Sequence, residues 1–70
     1  MAEVRAEMVA NVWKVVVAEG DPVEEGGTLV ILESMKMEIP VVAEAPGSVT
    51  KLHVAEGDVV QEGDLIATLD

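Results

Sequence analysis

Lys36 lies in the run Glu33-Ser34-Met35-Lys36-Met37-Glu38, a primary amine between two thioethers, with a hydroxyl and two carboxylates just beyond. A lysine in that setting is either a solvated turn cation or a nucleophile that accepts a covalent group. Met35 and Met37, at alternate positions, suit either a gap in a core or a soft recognition surface, because thioether side chains are flexible and polarizable. The other chemistry-bearing residues offer less. His53 has no second imidazole and no thiolate to share a metal with, so it reads as an ordinary exposed or edge-facing strand residue. Glu24-Glu25 falls in a turn and reads as solvated surface, not as an acid and base facing each other across a cleft.

The elements that position Lys36 are announced by a repeat. Residues 10–33 laid over residues 47–70 at a constant shift of 37 give 11 identities in 24 positions. The shift pairs Val12 with Val49, Lys14 with Lys51, Val17-Ala18-Glu19-Gly20-Asp21 with Val54-Ala55-Glu56-Gly57-Asp58, Val23 with Val60, Glu25-Gly26 with Glu62-Gly63, and Leu32 with Leu69. Two copies are too few for a solenoid, which needs about three or more units to cover its faces. Two halves, about 1–33 and 38–70, closing through a pseudo-two-fold axis are expected instead, joined by the connector 34–37. An axis across the molecule then puts the connector and the chain ends at opposite ends. Lys36 has no counterpart in the repeat. Lys14 and Lys51 do, and they read as solvated strand residues that discourage edge pairing.

Within each half the punctuation is that of short strands. Gly20-Asp21 and Gly57-Asp58 mark one turn, Glu25-Gly26 and Glu62-Gly63 another, and Pro46-Gly47 a third. Between them Val12–Ala18, Thr28–Glu33, Ile39–Ala43, Val49–Val54 and Leu65–Leu69 have strand length and many β-branched residues. Ala2 to Val17 also satisfies helical spacing, but its second half matches Val49–Val54, which sits between turns too close together for a helix. The expected fold is all-β, a sandwich or flattened barrel. Met35-Lys36 becomes the central pair of a tight hairpin. Neither is the Gly or Asn such turns favour, so at least one is expected at a costly backbone angle.

Composition narrows the function. At 70 residues the chain is one domain that buries only about 60% of its unfolded surface, which favours a carrier or binding module over a complete enzyme. Half the residues are apolar, yet Trp13 is the one aromatic, so the core is aliphatic and thin. No cysteine is available for disulfides or thiolate metal sites. A net charge of −10 argues against nucleic acid, and points to basic partners or simply to solubility. Residues 1–8 do not read as a secretory signal and nothing approaches a membrane span, so the cytoplasm is expected. Met1 favours a free-standing subunit over a segment of a longer polypeptide.

Glu-Ser-Met-Lys-Met-Glu resembles the Glu-Ala-Met-Lys-Met signature of the biotinyl domains of biotin-dependent carboxylases, and Ile39-Pro40-Val41 and Ala45-Pro46-Gly47 are similar to theirs as well. The resemblance covers essentially the whole chain. It implies two four-stranded antiparallel sheets with Lys36 at an exposed hairpin. It also implies that a biotin protein ligase joins biotin to the Lys36 amine, and that the domain does no chemistry of its own. The carrier then moves a carboxyl group from a biotin carboxylase subunit or site to a carboxyltransferase. Met35 and Met37 would serve in recognition by ligase and carboxylase, with Glu33, Ser34 and Glu38 as hairpin context.

Ser34 replaces the usual Ala, one small residue for another. No insertion corresponds to the protruding thumb of some bacterial members, so thumb-dependent behaviour is not expected. A lipoyl carrier shares the fold, the symmetry and the hairpin lysine, but usually flanks that lysine with Asp and Ala or similar residues; Met on both sides favours biotin. From another class, an unmodified interaction module with an acidic surface is the remaining alternative.

Overall fold

The Val-, Ile- and Thr-rich runs extend because branched side chains pack well on a pleated surface. In the computed structural model, which describes residues 2–70, they form β1 (Ala2–Arg5), β2 (Ala10–Val15), β3 (Pro22–Val23), β4 (Thr28–Ser34), β5 (Met37–Val42), β6 (Gly47–Leu52), β7 (Val59–Val60) and β8 (Leu65–Leu69). The described residues contain no helix. Two four-stranded sheets result, in the orders β1-β8-β6-β3 and β5-β4-β2-β7, with every pairing antiparallel. The fold is all-β with pseudo-two-fold symmetry, as expected.

The shift of 37 carries β1–β4 onto β5–β8. Each half supplies the two central strands of one sheet and the two edge strands of the other. The core repeats the same symmetry in its side chains: Ala6 with Ala43, Val12 with Val49, Val23 with Val60, Leu29 with Ile66, Val30 with Ala67, and Leu32 with Leu69 are all buried. Even irregularities recur, since β2 and β6 both carry a bulge, at Trp13 and at Thr50.

The repeated Ala-Glu-Gly-Asp segments explain how the halves hold each other. Gly20 N–H donates to the Val49 carbonyl at 2.7 Å and Val49 N–H to that of Asp21 at 2.9 Å. Gly57 N–H donates to Val12 at 2.8 Å and Val12 N–H to Asp58 at 2.7 Å, the same clasp in reverse. Glu19 accepts from Leu52 N–H at 3.0 Å and Glu56 from Val15 N–H at 3.2 Å, so each carboxylate covers a strand amide of the opposite half. Asp21 and Asp58 close their own turns by accepting from Ala18 and Ala55 N–H, both at 2.9 Å.

These contacts correct the expected strand limits. Val12–Ala18 was expected as one strand, and Val49–Val54 as another; the strands end at Val15 and Leu52, one further N–H each, of Val16 and His53, still donates to Leu29 and Ile66 at 2.9 Å, and the chain then turns into the clasps. The two-residue strands β3 and β7, and β1, carry too few residues to show a period. Lys14 and Lys51 do not guard edges: β2 and β6 are interior strands, and both lysines point outward.

Asn11 pairs with Glu33 beside the connector, and β2 then runs away from it to the 18–21 turn, which clasps Val49. Val49 pairs with Leu69, which also faces Ala2. Ala2 and Asp70 therefore lie at the end opposite residues 34–37, as the symmetry requires.

Gly20 and Gly57 both have φ of +94°, and a Cβ at either would meet nothing within 4 Å. Gly20→Ala and Gly57→Ala should each lose about 1–2 kcal/mol through backbone strain alone, and by nearly equal amounts, in urea unfolding. Leu29→Ala, at a fully buried position, should cost about 2–5 kcal/mol in the same measurement.

Candidate functional site

The connector is the tip of the β4–β5 hairpin. Leu32 faces Ile39, Glu33 faces Glu38 and Ser34 faces Met37, leaving Met35-Lys36 as a two-residue loop. Met35 has φ of 51° and Lys36 of 65°, the sign pattern of a type I′ turn, whose twist matches that of the flanking strands. Both central residues, not just one, occupy the left-handed region. For residues bearing a Cβ that conformation costs about 1–2 kcal/mol each, and the long β4–β5 ladder offsets it. Glu33 and Glu38 add a second cost, since like charges directly opposite on a sheet repel.

Every named tip residue except the half-buried Ser34 is exposed, and Met35 reaches 92% exposure and Met37 62%. That excludes the gap-filling reading of the two methionines. The tip therefore projects an apolar, flexible collar around one primary amine. Among the described residues the ion pair is Arg5–Glu3, at 2.8 Å on the other sheet, so no carboxylate holds the Lys36 ammonium. The geometry suits an amine that reaches into another protein's active site. An open groove runs between edge strands β1 and β5, floored by Leu32 and Leu69, but none of residues 33–38 lines it.

The remaining candidates take structural places. His53 is exposed just beyond β6, with Nε2 3.0 Å from the Thr68 hydroxyl. Glu24 and Glu25 lie exposed in a turn, where the Glu24 carbonyl accepts from Gly27 N–H at 2.9 Å. Lys14 Nζ sits 5.8 Å from the centroid of the Trp13 ring. The structural roles of Glu19 and Glu56 were not anticipated from sequence, although their repetition within Ala-Glu-Gly-Asp was the available signal.

Comparison with known proteins decides the family. The family model described as "Biotin-requiring enzyme" matches residues 2–69. The chain belongs to this family. Biotin is accordingly its cofactor. A biotinylated protein TB7.3 homolog of Mycobacterium leprae is 61% identical over 70 residues, covering 99% of each chain. One from Mycolicibacterium smegmatis is 73% identical over 44 residues, a match that spans 61% of this chain and 62% of the relative. Among solved structures, the urea carboxylase of Kluyveromyces lactis superposes with a TM-score of 0.92 at 39% identity, covering 99% of this chain and 6% of the enzyme. The lipoyl domain of the 2-oxoglutarate dehydrogenase complex from Azotobacter vinelandii gives a TM-score of 0.77 at 24% identity, over 96% of this chain and 95% of that one, and shows the fold alone. Within the biotin-requiring family, this chain is a small carrier-type domain that resembles part of a carboxylase.

Because the Lys36 side chain makes no hydrogen bond or ion pair among the described residues, Lys36→Arg should change unfolding free energy by less than about 0.5 kcal/mol. Met35→Asn, which suits the left-handed turn, should stabilise the domain by roughly 0.5–1 kcal/mol in urea titration, since the turn's strain is partly relieved.

Proposed function

We propose that Lys36 is the acceptor of covalent biotin and that residues 1–70 act as one non-catalytic carrier domain, moving a carboxyl group between biotin carboxylase and carboxyltransferase sites. The observation that carries this reading is the Met-Lys-Met run at a strained, exposed hairpin tip in a chain of the biotin-requiring family. The residues fit the cofactor: an exposed amine with no ion pair among the described residues, at the end of a long ladder, leaves room for an acyl group and for the enzyme that delivers it.

The Lys36 Nζ would be the nucleophile toward biotin activated by a biotin protein ligase at the expense of ATP. A C–N amide bond would form as the C–O bond to AMP broke, and the amine proton would pass to solvent. When bound, biotin supplies a ring nitrogen that accepts and gives up the carboxyl group in the active sites of its partners. The chain itself contributes position. The β4–β5 ladder fixes the root of the lysine arm, Met35 and Met37 provide the surface by which ligase and carboxylase recognise the tip, and the aliphatic arm gives reach. Glu33, Ser34 and Glu38 frame the turn. Holding the group near its two sites replaces diffusion by a high effective concentration. A ligase that uses ATP is consistent with work in the cytoplasm. No helix in the described residues is long and apolar enough to cross a membrane.

The test is the intact mass of the protein after incubation with biotin, ATP and a biotin protein ligase, followed by peptide mapping. One biotinyl group on Lys36, absent from Lys36→Arg, is expected. A folded protein that takes no biotin, or takes it elsewhere, would overturn the assignment. The same assay with lipoate and a lipoate ligase should give no addition.

A further inference from the structure

The internal two-fold provides a comparison within one molecule: the same backbone is presented on two outer sheet faces with different side chains. On the face of β1-β8-β6-β3 every outward position but one, Leu65 beside Arg5, is polar or charged in the strands that carry the contrast. Glu3 pairs with Arg5 at 2.8 Å, the Thr50 hydroxyl donates to the Thr68 carbonyl at 3.0 Å, and His53 meets the Thr68 hydroxyl at 3.0 Å. At the equivalent positions on β5-β4-β2-β7 stand Pro40 and Val42, Trp13, Ile31 and Val16, with Thr28 opposite Val42 and Lys14 opposite Ile31 as the polar residues among them. Trp13 is 43% exposed, Val42 40% and Val16 53%. The fold does not demand apolar residues there, since its other half makes the same bulge and the same ladder with Thr, His, Glu and Arg. Something outside the domain must account for them.

That face is the one that carries Lys36. Ile31 and Pro40 face each other three residues along the ladder from Ser34 and Met37, or about 10 Å from the tip, with the Glu33–Glu38 pair between. We propose that the outer face of β5-β4-β2-β7 is a docking surface for the carboxylase component that acts on the Lys36 group, a protein surface apolar opposite Trp13 and Ile31 and bearing Lys or Arg opposite Glu33 and Glu38. The choice of partner rests on the carrier reading above and on charge. A second copy of a chain with net charge −10 would be repelled, whereas a basic rim relieves the like-charge pair. A ligase meets the chain once. The carboxylase must meet it at every turnover, and only a docked domain keeps the arm at high effective concentration throughout.

The test copies the polar face onto the apolar one. Trp13→Thr, Val16→His and Ile31→Thr together install the residues found at positions 50, 53 and 68, which the same backbone already accommodates. Affinity of the unloaded protein for the purified biotin carboxylase component is measured by calorimetry, and biotin loading by intact mass is measured separately, so that a failed attachment assignment is not mistaken for a failed docking surface. The triple variant should bind at least tenfold more weakly, with its ligase loading rate and urea midpoint near those of the unaltered protein. Should the triple variant lose stability, Trp13→Thr alone should still weaken binding at least threefold, and Thr50→Ala on the opposite face should leave it unchanged. Raised salt should weaken binding of the unaltered protein. Equal affinities for the variants and the unaltered protein would overturn the proposal. So would an equal fall in ligase loading rate, which would assign the face to the ligase, or a self-associated dimer abolished by the triple variant, which would assign it to a second copy.

Discussion

The structure depends on a reciprocal clasp between its two halves. Each Ala-Glu-Gly-Asp turn donates and accepts backbone hydrogen bonds with Val12 or Val49 of the other half, and its glutamate caps a strand amide there. A chain of this size has little core to spend on stability, so it cannot leave amides unpaired where strands end. By exchanging turns, neither half can be completed without the other. The buried Leu29, Leu32, Ile66 and Leu69 then sit between sheets that each contain strands of both halves.

Such a frame permits an unfavourable local feature where it is needed. Two Cβ-bearing residues with positive φ, one of them Lys36, and a pair of facing carboxylates are concentrated within six residues at one end. The β4–β5 ladder, the more extensive of the pairings, runs directly into them. Without that ladder Met35-Lys36 would relax into one of many loop conformations and the amine would have no fixed root. With it, the flexibility is confined to the side chain.

Much of this was legible in the residues. The repeat, the turns and the β-branched runs indicated an all-β fold with a two-fold axis, and the lone lysine without a counterpart marked the connector. Other features were hidden for identifiable reasons. Strands of two residues such as Pro22–Val23 have no period to detect, and the ends of β2 and β6 are set by hydrogen bonds from the opposite half of the chain, as between Val15 and Glu56 or Leu52 and Glu19. The second positive φ depended on which turn type the register selects. Lys14 and Lys51 were misplaced because edge or interior position is a property of sheet order, which no local pattern encodes. The difference between the two outer faces needed the structure, for the shift of 37 pairs Trp13 with Thr50 but only the strand registers reveal that both occupy bulges.

The symmetry also bears on topology as a designer would see it. The repeat of 37 equals the 33 residues up to Glu33 plus the four-residue connector, so Asp70 stands to Met1 in sequence as Glu33 stands to Glu38. In those terms the fold is a ring opened at one of two equivalent corners. Closing the gap with a second Ser-Met-Lys-Met would give a cyclic protein with two such tips facing opposite ways, one between Glu33 and Glu38 in sequence and the other between Asp70 and Met1, and cutting at the present tip instead would give a circular permutant whose only lysine tip is the new one.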